Sequence, residues 1–306
     1  MSSRPRAVLV TGASSGIGRA TTNLLARRGF QVFAGVRCDR KGAEVAAEGG
    51  RQVIPLRLEV TCPEQTCQAV SEIAARCPEG LFALVNNAGV GSTGAVELSD
   101  LEELRELLEI NTVGPLRMIQ ACLPLLRLAR GRVVNISSLN GAVALPMVGA
   151  YSASKFALEA LSDSLRVELR PWGVSVSVIR PGQVRTPIFD KARQMLAERT
   201  REIPANLLPG YQSQYRRAGD FNERGARSST RPENVARVIA RALEARRPRP
   251  RYSVGLDAFG LGLAQRMVPQ RLLDHFVARA SGAAARSASR HALAADRLCA
   301  VDSPLA

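Results

Sequence analysis

Histidine is nearly missing from this chain. Its 306 residues hold only two, His275 and His291, both near the C-terminus. That excludes a multi-histidine metal centre and argues against a Ser-His-Asp hydrolase, so no metal site is expected. Acid–base chemistry has to come from Tyr, Lys, Asp, Glu or Cys. None of the six cysteines (Cys38, Cys62, Cys67, Cys77, Cys122 and Cys299) belongs to a Cys-x-x-Cys pair. They read as free thiols packed in or near the core, not as a disulfide frame or zinc site. No apolar run approaches ~18 residues, so no membrane-spanning helix is expected. Residues Met1 to Arg6 lead straight into a strand-like Ala7-Val-Leu-Val10. That leaves no room for an apolar signal segment and points to the cytoplasm.

Lysine is also scarce: Lys41, Lys155 and Lys191 are all there are. The net charge of +15 is therefore almost entirely arginine, spread along the chain. No helix-turn-helix pattern and no basic stripe with interleaved aromatics accompanies it, so a nucleic-acid partner is not expected.

What the chain does have is alternation. Short apolar runs at Ala7–Val10, Gln31–Val36, Val53–Leu58, Leu81–Val85, Arg132–Ile136, Val174–Ile179 and Tyr252–Val254 read as strands. Amphipathic stretches at Ile17–Arg28, Arg40–Glu48, Pro63–Arg76, Ser99–Glu109, Pro115–Ala129, Ser152–Leu169 and Pro232–Arg246 read as helices, with Thr230 a candidate cap for the last. Strands separated by helices of this length imply right-handed βαβ units, hence an α/β fold with a doubly wound parallel sheet. The expected division is one catalytic domain over 1–256, including an irregular substrate loop or lid at 183–229. A helical extension at 257–280 and a disordered Ala/Arg/Ser tail at 281–306 follow.

The first strand ends in Thr11-Gly-Ala-Ser-Ser-Gly-Ile-Gly18, which opens the first helix. Glycines at this position allow a tight turn and close approach to a pyrophosphate, and the helix N-terminus presents free N–H groups to it. Gly12, Ser14, Ser15, Gly16, Ile17 and Gly18 are the expected phosphate-binding residues. The same letters satisfy Gly-x-Ser-x-Gly, but a nucleophile elbow needs a late histidine and acid and a central strand before it. An NAD-selective protein places an acid about 20 residues beyond the glycines. Here that position is Val36, followed by Arg37. An arginine can pair with a 2′-phosphate and stack on adenine, so NADP(H) is expected in preference to NAD(H).

Further motifs occur in order: Asn86-Asn-Ala-Gly89, Asn111, Ser138 in Asn135-Ile-Ser-Ser138, Tyr151-Ser-Ala-Ser-Lys155 and Pro181-Gly-Gln-Val-Arg-Thr186. With the glycine-rich turn, they make the chain from Ala7 to Tyr252 resemble the short-chain dehydrogenases/reductases. A Rossmann-type fold and hydride transfer between a nicotinamide and an alcohol or ketone are what the resemblance implies. Tyr151 and Lys155 are i and i+4 and share a helix face. A free tyrosine titrates near ~10. An ammonium at ~4 Å and an effective dielectric of ~20 would favour tyrosinate by about 4 kcal/mol at most. Tyr151 is thus the expected general acid in reduction and base in oxidation. Ser138, at a strand's C-terminal end, is placed to stabilise the substrate oxygen.

The resemblance further implies that Asn111 holds a water relaying protons to Lys155, and that Lys155 binds the nicotinamide ribose. It places Asn87, Ala88 and Gly89 beside the adenosine, and Val184 and Thr186 at the carboxamide. After the third strand the family usually has Asp near the adenine. Here Glu59-Val60 stands instead, and Glu59 keeps the charge on a longer arm. A homodimer or homotetramer is also implied.

Leu139, Val143, Leu145, Met147, Ile188, Phe189 and Leu196 suggest a lipophilic substrate. Lys191, Arg193, Arg199, Arg201, Arg216 and Arg217 suggest an acidic or carrier-linked one. The apolar residues between Leu261 and Val277 are read as core packing or an oligomer interface, with a peripheral membrane helix as the other reading. The extended C-terminal part, including Arg251-Tyr-Ser-Val-Gly255, further resembles members acting on retinol or hydroxysteroids. The alternative from another class is a non-catalytic dinucleotide sensor or scaffold on the same fold. Retention of Asn111, Ser138, Tyr151 and Lys155 together speaks against it.

Overall fold

The structure is a computed structural model and describes residues 6–255 and 267–283. Seven parallel strands form one sheet in the order β3-β2-β1-β4-β5-β6-β7. They are β1 (Ala7–Val10), β2 (Gln31–Val36), β3 (Val53–Arg57), β4 (Ala83–Asn86), β5 (Arg132–Ile136), β6 (Ser175–Pro181) and β7 (Arg251–Val254). The helices are α1 (Gly16–Arg27), α2 (Asp39–Gly49), α3 (Pro63–Arg76), α4 (Leu101–Leu108), α5 (Gly114–Leu128), α6 (Gly149–Glu168), α7 (Pro187–Glu202), α8 (Leu208–Ser228), α9 (Pro232–Glu244) and α10 (Gln270–Ser281).

The central strands β1, β2 and β4 are buried along nearly their whole length, without alternation, because both faces are covered. In β1, Val8 and Val10 join one core with Leu25, Val45, Val235 and Ile239 of α1, α2 and α9. Ala7 and Leu9 join the other, with Ile73 of α3 and Met118 and Ile119 of α5. The strand order reverses between β1 and β4, and the crevice beyond the strand ends there is the ligand-binding position of open α/β sheets.

Three expectations need correcting. The stretch 183–229 is mostly helical, not irregular: α7 and α8 carry their own small core of Leu196, Ile203 and Tyr215, packed on Ala95 and Met147. Thr230 does not cap α9, whose N-cap is Arg231 without a side-chain bond. The Thr230 backbone instead bridges to Val184. Among the described residues no cysteine is in a disulfide, but Cys77 and Cys122 alone are buried, Cys62 is half-buried, and Cys38 and Cys67 face solvent.

Helix α10 docks on α8 through Leu273. Its C-terminus is satisfied from α8: the Arg217 guanidinium donates to the carbonyls of Arg279 at 2.6 Å and Ala280 at 3.2 Å. The Ser213 hydroxyl donates to the Gly282 carbonyl at 2.9 Å. Leu272 and Phe276 on the same helix are exposed. The first part of the expected extension (257–266), His291, Cys299 and the tail from 284 on lie outside the described residues. Among the described residues no helix is long and apolar enough to cross a membrane. No group of three or more His, Cys, Asp or Glu among them is placed to hold a metal ion.

Candidate active site

The site grows from the switch point. Gly12 and Gly16 take positive φ, +63° and +53°, which only glycine adopts without strain. A Cβ on Gly18 would lie 2.2 Å from the Gly12 carbonyl oxygen, and one on Gly12 would lie 2.9 Å from Ala88 Cα. The turn is therefore packed to backbone contact both with itself and with the loop after β4. Helix α1 begins at Gly16 with Ser15 as an N-cap whose side chain makes no capping bond. Its first N–H groups are left for an anion, and such a cradle fits a dinucleotide pyrophosphate. Ser14 and Ile17 flank this turn.

Asn87 and Thr11 stitch the two loops together. The Thr11 hydroxyl accepts from the backbone N–H groups of Asn87 and Ala88, both at 3.0 Å. The Asn87 side chain donates to the carbonyls of Thr11 at 2.9 Å and Gly12 at 3.1 Å. Asn87 thus shapes the turn with its amide. Thr11 was visible only as the first letter of the motif. On the far side, the Thr186 methyl would be 3.0 Å from a Cβ on Gly16. The loop after β6 therefore closes over the turn, with Val184 buried beneath it.

At the outer end of the crevice, Arg37 follows β2 and is 70% exposed, 3.6 Å from the Glu59 carboxylate. Val60 is buried, and its carbonyl accepts from Arg117 at 2.6 Å.

On the opposite side, α4 runs into a π-helical turn, Glu109–Val113, before α5 begins. Such turns mark functional sites in many helices. Here it carries Asn111 fully buried. The Asn111 amide nitrogen donates to the Val90 carbonyl at 2.9 Å and to the Ser154 hydroxyl at 3.1 Å. Its oxygen accepts from the Val90 N–H at 2.9 Å. This side chain anchors the end of the Asn87–Val90 loop to α6. Gly89 lies at the junction: a Cβ there would be 3.0 Å from Asn111 Oδ1 and 3.5 Å from Lys155 Nζ.

Tyr151 and Lys155 face the crevice from α6, as their spacing implies. Ser138 follows β5 and its hydroxyl accepts from the Asn140 N–H at 3.1 Å. Lys155 is 5% exposed; its ammonium donates to the Ile136 carbonyl at 3.1 Å and lies 5.8 Å from the Tyr151 ring centre. The electrostatics reverse the expected order. Burial pulls the Lys155 ammonium down to about 8, against the pull of the neighbouring Glu159 carboxylate. Burial pushes the Tyr151 phenol above its ordinary value, and a hydrogen bond with Ser138 works against that rise. Desolvation is the largest influence on both groups, because each is carried into a place where water is scarce.

Helix α7 is latched to the loop after β4. Arg199 on α7 donates to the Thr93 carbonyl and pairs with Glu103 of α4. Met147, at φ +68°, is held by bonds from the Thr93 hydroxyl at 3.1 Å and the Gly94 N–H at 2.7 Å to its carbonyl. Of the arginines that suggested an acidic substrate, Arg199 and Arg217 are spent internally and Arg193 faces Asp190 at 3.6 Å on the surface. Leu139 and Val143 form a small apolar cluster with Ala142 and Leu145 beside Ser138. Ile188 is exposed near Gly91, and the Phe189 side chain lies outside the described residues.

A phosphate-sized glycine turn on one side of a switch point and a Tyr–Lys pair on the other place the molecule among the dinucleotide-dependent oxidoreductases. Residues 6–197 match the family model described as short chain dehydrogenase, and the chain belongs to that family. It is 37% identical over 278 residues to retinol dehydrogenase 5 of Mus musculus, covering 87% of this chain and 86% of that protein. It is 37% identical over 265 residues to the mitochondrial D-beta-hydroxybutyrate dehydrogenase of Rattus norvegicus, covering 81% and 76%. Among solved structures, a short-chain dehydrogenase from Streptomyces avermitilis superposes with a TM-score of 0.74 at 29% identity, over 92% of this chain and 99% of that one. One from Burkholderia cenocepacia in complex with NADP gives 0.69 at 26%, over 90% and 98%.

Proposed function

We propose that the protein is an NADP(H)-dependent oxidoreductase acting on a lipophilic ketone or alcohol, with Tyr151 as the proton-transferring group. The observation that carries this reading is the convergence of Ser138, Tyr151 and Lys155 beside the Gly89 end of the glycine-bounded crevice. When bound, the nicotinamide supplies the hydride to the carbonyl carbon, or accepts it in the reverse direction. The phenol of Tyr151 gives its proton to the carbonyl oxygen in reduction and takes it back in oxidation. The Ser138 hydroxyl donates to the same oxygen and steadies the charge that develops there. Lys155 holds the nicotinamide ribose and favours the charged form of Tyr151 once the two are engaged. Asn111 keeps the Gly89–Val90 backbone in register with both.

Gly12, Ser14, Ser15, Gly16, Ile17 and Gly18 hold the pyrophosphate. Ala88 and Gly89, placed by Asn87, line the adenosine side, with Glu59 and Val60 near the adenine. Val184 and Thr186 meet the carboxamide. Support for NADP(H) comes from exposed Arg37 at the ribose end, and from the NADP carried by the Burkholderia cenocepacia neighbour. Support for a lipophilic substrate comes from the apolar cluster of Leu139 and Val143 and from the pairing of Arg199 and Arg217 within the chain.

A panel of carbonyl compounds, from steroid- and retinoid-sized to short keto acids, assayed for NADPH consumption tests this. Consumption with the large apolar members is expected. Consumption with short keto acids alone, or with none of the panel, contradicts the proposal.

A further inference from the structure

Glu159 is the one acid on α6 that is turned into the protein behind the Tyr151–Lys155 pair. Its side chain is 6% exposed. It lies one helical turn beyond Lys155, on the same face. A Cβ on Gly141, in the turn that follows Ser138, would be 3.2 Å from Glu159 Cγ. The same point is 3.2 Å from the Lys155 carbonyl oxygen, so the Glu159 stem packs into the corner where the turn after Ser138 meets the Lys155 backbone.

A carboxylate buried this deeply is costly unless it is paired and hydrogen-bonded. Glu159 is paired from two strands. Arg180 of β6 grips it through both oxygens, at 2.6 and 2.8 Å. Arg251, the first residue of β7, adds a bond at 3.0 Å and reaches on to Asp163 of α6 at 2.5 Å. Arg166 also donates to Asp163, at 3.0 Å. The charges facing Glu159 are thus Lys155 on its own helix and Arg180 and Arg251 on the sheet. Those facing Lys155 are Glu159 and the Tyr151 phenol on α6, with the neutral Asn111 and the Ile136 carbonyl on other elements. Three cations compete for one buried acid, and the field at Lys155 depends on how that competition is divided.

We propose, resting on the reading of Lys155 given above, that Glu159 is a positioning residue. Held between Arg180 and Arg251, its carboxylate is the counter-ion that keeps Lys155 charged, and Arg180 limits how much of that charge Lys155 receives. Two substitutions then act in opposite directions. Glu159→Gln removes the acid and leaves two guanidinium groups facing Lys155, which weakens its hold on its proton. Arg180→Met frees the acid from its strongest partner, which strengthens that hold. A purely structural role for the network predicts no such opposition.

The chain's three lysines make the test direct. Full-length protein is labelled with 13C at lysine Cε and titrated by NMR. The Lys155 resonance is identified by its loss in Lys155→Arg. Proton affinity at Lys155 is expected to fall about tenfold or more in Glu159→Gln and to rise about three- to tenfold in Arg180→Met. Shifts of the same sign, or none beyond twofold in either variant, overturn the proposal. If Glu159→Gln does not fold, the rise in Arg180→Met decides alone. The pH profile of kcat/KM for carbonyl reduction is recorded alongside, and its alkaline limb is expected to follow the titration. A limb that stays fixed while the titration moves as expected leaves the counter-ion in place and refutes the catalytic role of Lys155 instead.

Discussion

The Arg37 guanidinium lies 3.6 Å from the Glu59 carboxylate, just beyond the ends of β2 and β3. The residue that would select a 2′-phosphate thus has an acid for a neighbour. At 70% exposure of Arg37 the pair is worth ~0–1 kcal/mol, whereas an arginine–phosphate contact is worth about 1.5–3 kcal/mol. On these magnitudes a 2′-phosphate brought to Arg37 would win the competition. Arg37→Ala is expected to weaken NADPH binding about tenfold or more and to leave NADH binding within twofold. Glu59→Gln is expected to tighten NADPH binding by no more than about fivefold. Fluorescence titration with each nucleotide checks both, and an unchanged NADPH-to-NADH ratio in Arg37→Ala would remove Arg37 from the recognition site.

Arg199 ties α7 to the loop after β4. Its loss strands the Thr93 carbonyl, at a cost of about 1–3 kcal/mol, and leaves the Glu103 carboxylate with the Ser92 hydroxyl and solvent. Arg199→Ala should therefore lower Tm and raise KM for the carbonyl substrate several-fold. Nucleotide affinity should hold, because α1 and the glycine turn are untouched. A KM that does not move would show that α7 and α8 are not the substrate's cover.

Burial of Lys155 carries a stability signature. Its proton affinity falls from an ordinary value of 10.5 to about 8 in the folded protein. Between those values the unfolded chain binds more protons than the native one, so this residue's contribution to stability rises with pH across that window. Below about 8 the desolvation penalty is fully present. Tyr151 acts oppositely: its raised value makes the native state hold its proton longer, so its contribution declines above pH 10. Lys155→Met should accordingly have a higher Tm than the parent near neutral pH, with the gap closing as pH rises toward 10. Thermal melts across that range check it, and a gap that widens with pH would contradict it.

The sheet was legible because its strands are short apolar runs between glycine and proline punctuation, and because the turn at Gly12–Gly18 falls between strand and helix. Two features were not. Helices α7 and α8 are separated by a stretch with Pro204, α8 opens on Pro209-Gly210, and few of their residues are apolar. Their core is completed by Ala95 and Met147, distant in sequence. The π-helical turn at Asn111 is hidden because a one-residue insertion leaves the helical pattern on either side intact. The i, i+4 spacing of Tyr151 and Lys155 correctly set them on one face. Spacing carries no information on burial, however, and desolvation decided both titrations. Glu159 escaped notice for the same reason: four residues past a lysine it reads as a solvated surface pair, and only Arg180 and Arg251 reveal it as buried.

The most direct measurement compares the parent with Tyr151→Phe, in turnover of a carbonyl substrate with NADPH and in NADPH affinity. Removal of a positioned general acid should reduce kcat by roughly 10²–10⁴-fold. The crevice around Gly12, Asn87 and Thr186 is unchanged, so NADPH should bind within about twofold of the parent. A Tyr151→Phe protein that turns over at the parent's rate would contradict the account at its centre.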